Sequence, residues 1–180
     1  MASHALEQSQ VQTFEFHWVS PLGLAVALFL LSGLLYVLIG TLAPPLLRNT
    51  DPARTQILII SNRTDTQLFG RSPAELTSSD PVVAQLRAIL LDIMSGLLCV
   101  AGLFQLAITW FGLRQGQVWA LVVLAIGGLV ALPFWFLALR PYLQEGIPLT
   151  LGDIPPFMWV PAVLLLPAIV LGWFGLVQAR

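Results

Sequence analysis

The sequence predicts an all-α integral membrane protein, in which four transmembrane helices pack as an antiparallel bundle. One polar loop of about 40 residues separates helices 1 and 2. Charged residues are scarce, since 8 of the 180 residues are Lys or Arg and 9 are Asp or Glu. A soluble domain has about a quarter of its residues charged. Hydrophobic residues make up 57% of the chain, and a single domain is expected from the length.

Four apolar runs predict the spans, because each has the roughly 20 residues that a helix needs to cross a hydrocarbon core. The first run, 21–43, is uncharged and is predicted to stop at Pro44. The second, 88–113, contains a single acidic residue. The third and fourth, 117–139 and 156–178, are uncharged. Water is missing at this depth, so the backbone must form its own hydrogen bonds, and these continuous runs are therefore predicted to be helices.

The tryptophans support the same assignment independently. All six lie within about two turns of a predicted span end. Amphipathic indole rings prefer the headgroup level of a bilayer, whereas a soluble helical core would scatter them. The six are Trp18, Trp110, Trp119, Trp135, Trp159 and Trp173.

The loop 44–84 is the only polar region long enough to have structure of its own. Ser72 and Glu75 have the spacing of a capping box, so a short helix is predicted from about residue 73. Asp80 before Pro81 predicts a second helix start, and this helix is expected to run directly into the second span. The run 56–60 is typical of a short strand, but no second strand is predicted that could pair with it. We therefore expect it on the rim of the bundle.

Arginine distribution predicts the orientation. Four spans place both termini on one side, and the bias of basic residues toward the cytoplasm then favours termini outside. Against this, many bundles with an even number of spans keep their termini inside. The side of the termini carries Arg114 and Arg180, and the other side carries Arg48, Arg54, Arg63, Arg71, Arg87 and Arg140.

Small and weakly polar residues form stripes along the spans. Such residues let helix backbones approach closely in lipid, and a 3.5-residue period is typical of left-handed helix packing. We interpret the stripes as packing seams in preference to a binding surface. They consist of Gly33 and Gly40 on the first span, Ser95, Cys99, Gly102 and Thr109 on the second, and Gly172 and Gly175 on the fourth.

Asp92 is the acidic residue within the second span, and an intramembrane acid is by default a functional hypothesis. The alternative is that Asp92 only forms a hydrogen bond between helices, for which Tyr36 is the predicted donor. Ser95 lies on the same stripe, and Arg140 is a competing partner for the carboxylate. We therefore take Asp92, Tyr36, Ser95 and Arg140 as candidate binding residues.

Several chemistries are not expected from this sequence. Both histidines precede the first span, so we predict no intramembrane metal site and no cofactor. A net charge of −1 gives no basic surface for nucleic acid. The expected partners are membrane lipid and either other membrane protein subunits or a second copy of the chain.

Two functions remain open. The first is non-enzymatic, either an accessory or structural subunit or a protein that binds a lipophilic molecule within the bundle. The alternative is a transporter or intramembrane enzyme that titrates Asp92.

Overall fold

The computed structural model describes residues 16–48 and 57–178, apart from the side chains of Arg48 and Phe157. All regular secondary structure in these residues is helical, and no strand occurs among them. Four helices are long and apolar enough to cross a membrane, which indicates a multi-pass membrane protein.

The four long helices are α1, α4, α5 and α6, and the two short helices α2 and α3 lie in the large loop. Their bounds are α1 Pro21–Arg48, α2 Asn62–Phe69, α3 Pro73–Ser79, α4 Pro81–Phe111, α5 Val118–Gln144 and α6 Pro156–Gln178. A 3-10 turn, Leu113–Gln115, connects α4 to α5.

Two helices continue past the predicted ends of their spans, which were Pro44 for the first span and residue 139 for the third. α1 includes Pro44 and Pro45 and ends at Arg48, and α5 includes Pro141 and ends at Gln144. Each proline removes one backbone hydrogen bond from the helix, but its fixed φ is itself helical. A proline near a helix end therefore costs little enough for one more turn to form.

The helix starts in the loop follow from capping. α3 begins at Pro73 with the predicted capping box, in which Ser72 and Glu75 each accept a backbone hydrogen bond from the other. α4 begins at Pro81, where the Asp80 carboxylate accepts a hydrogen bond from the Val82 N–H at 2.8 Å. This helix runs without a break for 31 residues, as predicted from the Asp80-Pro81 start.

α2 is an element that the sequence analysis did not predict. Its N-cap is Ser61, whose hydroxyl accepts a hydrogen bond from the Thr64 N–H. It ends at Gly70, which has a φ of 68° and so adopts the left-handed conformation that glycine tolerates. The preceding residues, 57–60, form a bend and not a strand.

α1 is the central long helix, because it packs against α4 on one side and α6 on the other. α5 touches α6 and α4 over smaller areas. The main hydrophobic core lies toward the end of the molecule that holds the 3-10 turn. It contains Leu22, Val26, Phe29, Leu113, Ala120, Leu121, Leu124, Leu165, Ala168 and Leu176.

Glycines of the predicted stripes lie where α1 meets α4. A Cβ added to Gly40 would be 2.6 Å from the Ser95 carbonyl oxygen and 2.7 Å from the Cys99 amide nitrogen. Gly33 and Gly102 face each other in the same way, since a Cβ on Gly102 would lie 2.6 Å from the Gly33 carbonyl oxygen. The two backbones can approach this closely only because glycine has no side chain. These glycines therefore set the distance between α1 and α4.

The remaining stripe residues are also enclosed. A Cβ on Gly175 would lie 2.4 Å from the Leu22 amide nitrogen, and one on Gly172 would lie 2.8 Å from the Leu121 side chain. Thr109 is fully buried on α4, and its hydroxyl donates to the Gln105 carbonyl at 2.7 Å. Both ends of α1 are therefore held by close contacts with α4 and α6.

Candidate functional site

The candidate site in the described residues is an apolar cavity of about 640 Å³ to which all four long helices contribute. It lies on the side of the main core away from the 3-10 turn. Small residues on α5 create the space, because Gly127, Gly128, Ala131 and Ala138 recur on its inner face. α6 adds Ala162. Larger side chains at these positions would fill the volume.

The cavity is open between α4 and α5. These helices are in contact at their connecting turn, where a Cβ on Gly112 would lie 2.7 Å from the Ala120 Cβ. Farther from the turn both helices line the cavity, with Phe104 of α4 64% exposed and Phe134 of α5 66% exposed. Such exposed lining residues mark a mouth at this side of the molecule.

The polar groups of the cavity are few and uncharged. α1 contributes Ser32, which is 5% exposed, and Tyr36, one helical turn further along the same face. α4 contributes Gln105, whose amide donates to the Phe29 carbonyl at 2.9 Å. Among the described residues, the lining contains no Asp, Glu, Lys, Arg or His. The arrangement can therefore hold a lipophilic molecule and offer it a small number of neutral hydrogen bonds.

The four candidate binding residues are not brought together in this cavity. Only Tyr36 lines it. Asp92 is half-buried on α4, Ser95 is buried against Gly40, and Arg140 is exposed near the end of α5. The hydrogen bond between Tyr36 and Asp92 stays a prediction. Ser32 and Gln105 were missed, and the small residues of α5 were the sequence signal that could have indicated the cavity.

A second polar cluster lies where the large loop meets the end of α5 and the α5–α6 connection. Its centre is Asp65, which is fully buried. The Asp65 carboxylate accepts hydrogen bonds from the N–H groups of Leu58, Ile59 and Ile60 at 2.8, 2.9 and 3.2 Å. It also accepts one from the Tyr142 hydroxyl at 2.7 Å. The three N–H bonds explain why 57–60 forms a bend, since the amides of Leu58, Ile59 and Ile60 are satisfied by a side chain and need no partner strand.

Asp153 is the second acid of this cluster. Arg63 forms an ion pair with the Asp153 carboxylate and donates from Nε at 3.0 Å. Thr150 donates to the same carboxylate from its N–H at 2.9 Å and from its hydroxyl at 2.6 Å. The Arg63 hydrogen bond, followed by those from Thr150, holds the pKa of Asp153 well below the ordinary 3.8. The same bond to Asp153 raises the pKa of Arg63.

We call the two contacts Asp65–Tyr142 and Arg63–Asp153 the loop clasp. A small apolar core of Ile60, Tyr142 and Ile147 packs beneath it. Tyr142 lies one turn beyond Ala138, the last α5 residue of the cavity lining. The clasp therefore ties α2 to the end of α5 and to the connection that leads into α6. Its acids are saturated with protein donors, which is typical of a structural element.

Other candidate sites are limited. In the part of the chain that the structure describes, no group of three or more His, Cys, Asp or Glu residues could hold a metal ion. At the opposite end of the molecule, the Arg114 guanidinium lies over the Trp110 ring at 4.2 Å and the Phe16 ring at 5.5 Å. Comparisons with protein-family models, with curated proteins and with solved structures gave no match to this chain.

Proposed function

We propose that this protein is an antiparallel four-helix membrane bundle that binds a lipophilic molecule in the cavity between its long helices. The observation that carries the proposal is the cavity itself, which is apolar, contains few polar groups and has a mouth between α4 and α5. Its volume of about 640 Å³ lies within the range of small-molecule sites, which is roughly 300–1,000 Å³.

Support for membrane insertion comes from the outer faces of α4 and α5. These helices expose long rows of large apolar side chains that do not line the cavity, among them Val100, Leu103, Ile126 and Val130. A monomeric soluble protein rarely exposes a contiguous apolar patch above a few hundred Å². Lipid tails would solvate these faces, and they would also surround the mouth of the cavity. The occupant would then enter sideways from the bilayer.

The dimensions of the cavity favour a long hydrocarbon chain. Its α4 lining extends from Met94 to Ile108, which corresponds to about 21 Å along the helix axis. A compact ligand would leave much of this length empty, and unfilled apolar volume costs dispersion contacts. An elongated lipid or isoprenoid chain would fill it.

The alternative function is a transporter or intramembrane enzyme that titrates Asp92. No specific observation favours it. Asp92 is not among the described residues that line the cavity, so an occupant would not meet the carboxylate there. The role of an accessory subunit is compatible with the exposed faces of α4 and α5, but those faces are equally suited to lipid.

We also propose that both termini lie outside and that the loop clasp lies on the cytoplasmic side, because the clasp side carries most of the arginines. Single cysteines near Arg114 and near Arg71, in a variant lacking Cys99, should then label from opposite sides of the membrane. Labelling near Arg114 only after the cytoplasm is opened would reverse the orientation.

Filling the cavity is the experiment that tests the proposed binding. Gly127 lines the cavity, and an added Cβ there would meet nothing within 4 Å. Gly96 is a matched control, because it is also a helical glycine with open space around it but does not line the cavity. Both proteins, Gly127→Phe and Gly96→Phe, gain helix propensity equally.

Native mass spectrometry after release from a mild detergent would measure the bound lipid. We expect the wild type and Gly96→Phe to retain one lipid-sized adduct and Gly127→Phe to lose it. Equal retention by all three proteins, or no adduct on the wild type, would contradict the proposed function.

A further inference from the structure

The cavity contains two hydroxyl groups that are available to a ligand. Ser32 is 5% exposed, and the structure gives its hydroxyl no hydrogen bond to any described residue. The same holds for the Tyr36 hydroxyl. Every fully enclosed side-chain nitrogen or oxygen among the described residues has a partner. Because these two hydroxyls have no such partner, they are not fully enclosed by protein. A ligand can reach them from the cavity that they line.

The two hydroxyls are neighbours near the middle of α1. Residues four apart lie on one face of a helix, with about 5–6 Å between their Cβ atoms. The apolar segment of α1 is Pro21–Leu47, so Ser32 and Tyr36 each lie about 3 Å from its midpoint along the axis. In the proposed bundle, this is close to the bilayer midplane.

The chemistry of the lining restricts what can bind the hydroxyls. A charged group at the bilayer centre is costly, and the described lining residues include no side chain of opposite charge to pair with one. Both hydroxyls can donate, and a carbonyl oxygen has two lone pairs that can accept both bonds. Each hydroxyl can also accept, so the position suits an uncharged polar group, and a carbonyl oxygen can take both donated bonds on one atom.

We propose that the occupant is an uncharged lipid with a carbonyl oxygen, held at midmembrane depth by hydrogen bonds from Ser32 and Tyr36. This inference rests on the proposed function, because it specifies the chemical class of the molecule in the cavity. Long-chain fatty esters and isoprenoid quinones both have such an oxygen on an apolar frame. A phospholipid does not meet this requirement, because the charged headgroup must stay at the membrane surface.

Binding of defined probes to the protein in phosphatidylcholine nanodiscs tests the inference. The probes are a radiolabelled decyl benzoquinone, a long-chain alkyl ester and an alkylbenzene without oxygen. The variants are Ser32→Ala and Tyr36→Phe. Thr41→Val is the matched control, because the Thr41 hydroxyl on α1 already donates to the Val37 carbonyl at 2.8 Å and does not line the cavity.

We expect each variant to weaken binding of a carbonyl probe about 2- to 10-fold, which corresponds to one neutral hydrogen bond. Binding of the alkylbenzene should not change, and Thr41→Val should behave as the wild type with all probes. The carbonyl probe whose binding the variants weaken identifies the class of the bound lipid, either an ester or a quinone.

Two results would overturn the inference while the proposed function stands. In the first, the alkylbenzene binds as well as the carbonyl probes and neither variant changes any affinity. In the second, the variants weaken all three probes equally, which would indicate altered packing and not a lost hydrogen bond. If none of the probes binds the wild type, the inference and the proposed function both fail.

Discussion

Removing one hydroxyl from the loop clasp tests the account of the extramembrane region. Tyr142→Phe deletes the hydroxyl that donates to Asp65 at 2.7 Å and leaves the ring in place. Because Asp65 is fully buried, no solvent can replace this donor without some opening of the loop. We therefore expect the segment 57–65 to open more often in the variant.

The magnitude follows from the type of bond. A hydrogen bond to a charged group contributes about 1.5–3 kcal/mol net. Since about 1.4 kcal/mol corresponds to a factor of 10, the opening equilibrium should rise roughly 10- to 150-fold. The three N–H bonds to Asp65 remain, so the segment should loosen without losing its fold.

Hydrogen exchange of the Leu58, Ile59 and Ile60 amides measures this opening directly, because these are the groups that Asp65 accepts from. The chain has two tyrosines, so Tyr36→Phe supplies a matched control on the cavity side. We expect faster exchange in Tyr142→Phe and unchanged exchange in Tyr36→Phe. Equal exchange in both variants and the wild type would refute the reasoning.

Two further predictions concern the helix contacts and pH. Gly40→Leu should lower the melting temperature of the protein in detergent far more than Gly96→Leu, because a Cβ on Gly40 would lie 2.6 Å from the Ser95 carbonyl oxygen, whereas one on Gly96 would meet nothing within 4 Å. Similar melting temperatures would argue against close contact between α1 and α4. The lowered pKa of Asp153 means that its ionised form stabilises the fold fully above the ordinary 3.8, and that this contribution is lost as pH falls toward the lower folded value. Proteolysis of the loops should therefore stay slow at pH 5 and accelerate only in stronger acid, whereas Arg63→Gln should accelerate it already at neutral pH.

The long helices could be predicted from the sequence because composition alone decides them. An uncharged run of membrane-spanning length leaves the backbone no partner except itself. The starts of α3 and α4 were also predictable, since their capping residues act within three positions along the chain. The starts of α3 and α4 thus depend on local chemistry that a sequence displays, whereas α2 was not predicted.

The loop clasp could not be predicted, because it depends on pairs that are distant in the sequence. Arg63 and Asp153 are 90 residues apart, and Tyr142 and Asp65 are 77 apart. The run 56–60 resembled a strand because it contains three β-branched residues, Ile57, Ile59 and Ile60. Its described part, 57–60, is a bend because the nearby Asp65 carboxylate satisfies the amides of Leu58, Ile59 and Ile60.

The cavity was only weakly indicated by the sequence. Charge drew attention to Asp92, whereas the residues that line the cavity are neutral and include Ser32 and Gln105. The volume depends on how far α4 and α5 diverge beyond their shared turn, and no local pattern specifies that divergence. The small residues of α5 at Gly127, Gly128 and Ala131 were the sequence feature that indicated the cavity.

A structure determined in lipid is the most direct test of the central claim that this bundle holds a lipophilic molecule. We expect elongated density in the cavity, about 20 Å long, that passes the Ser32 and Tyr36 hydroxyls and reaches the mouth between α4 and α5. A structure in which α4 closes onto α5 and the cavity has collapsed would contradict the account.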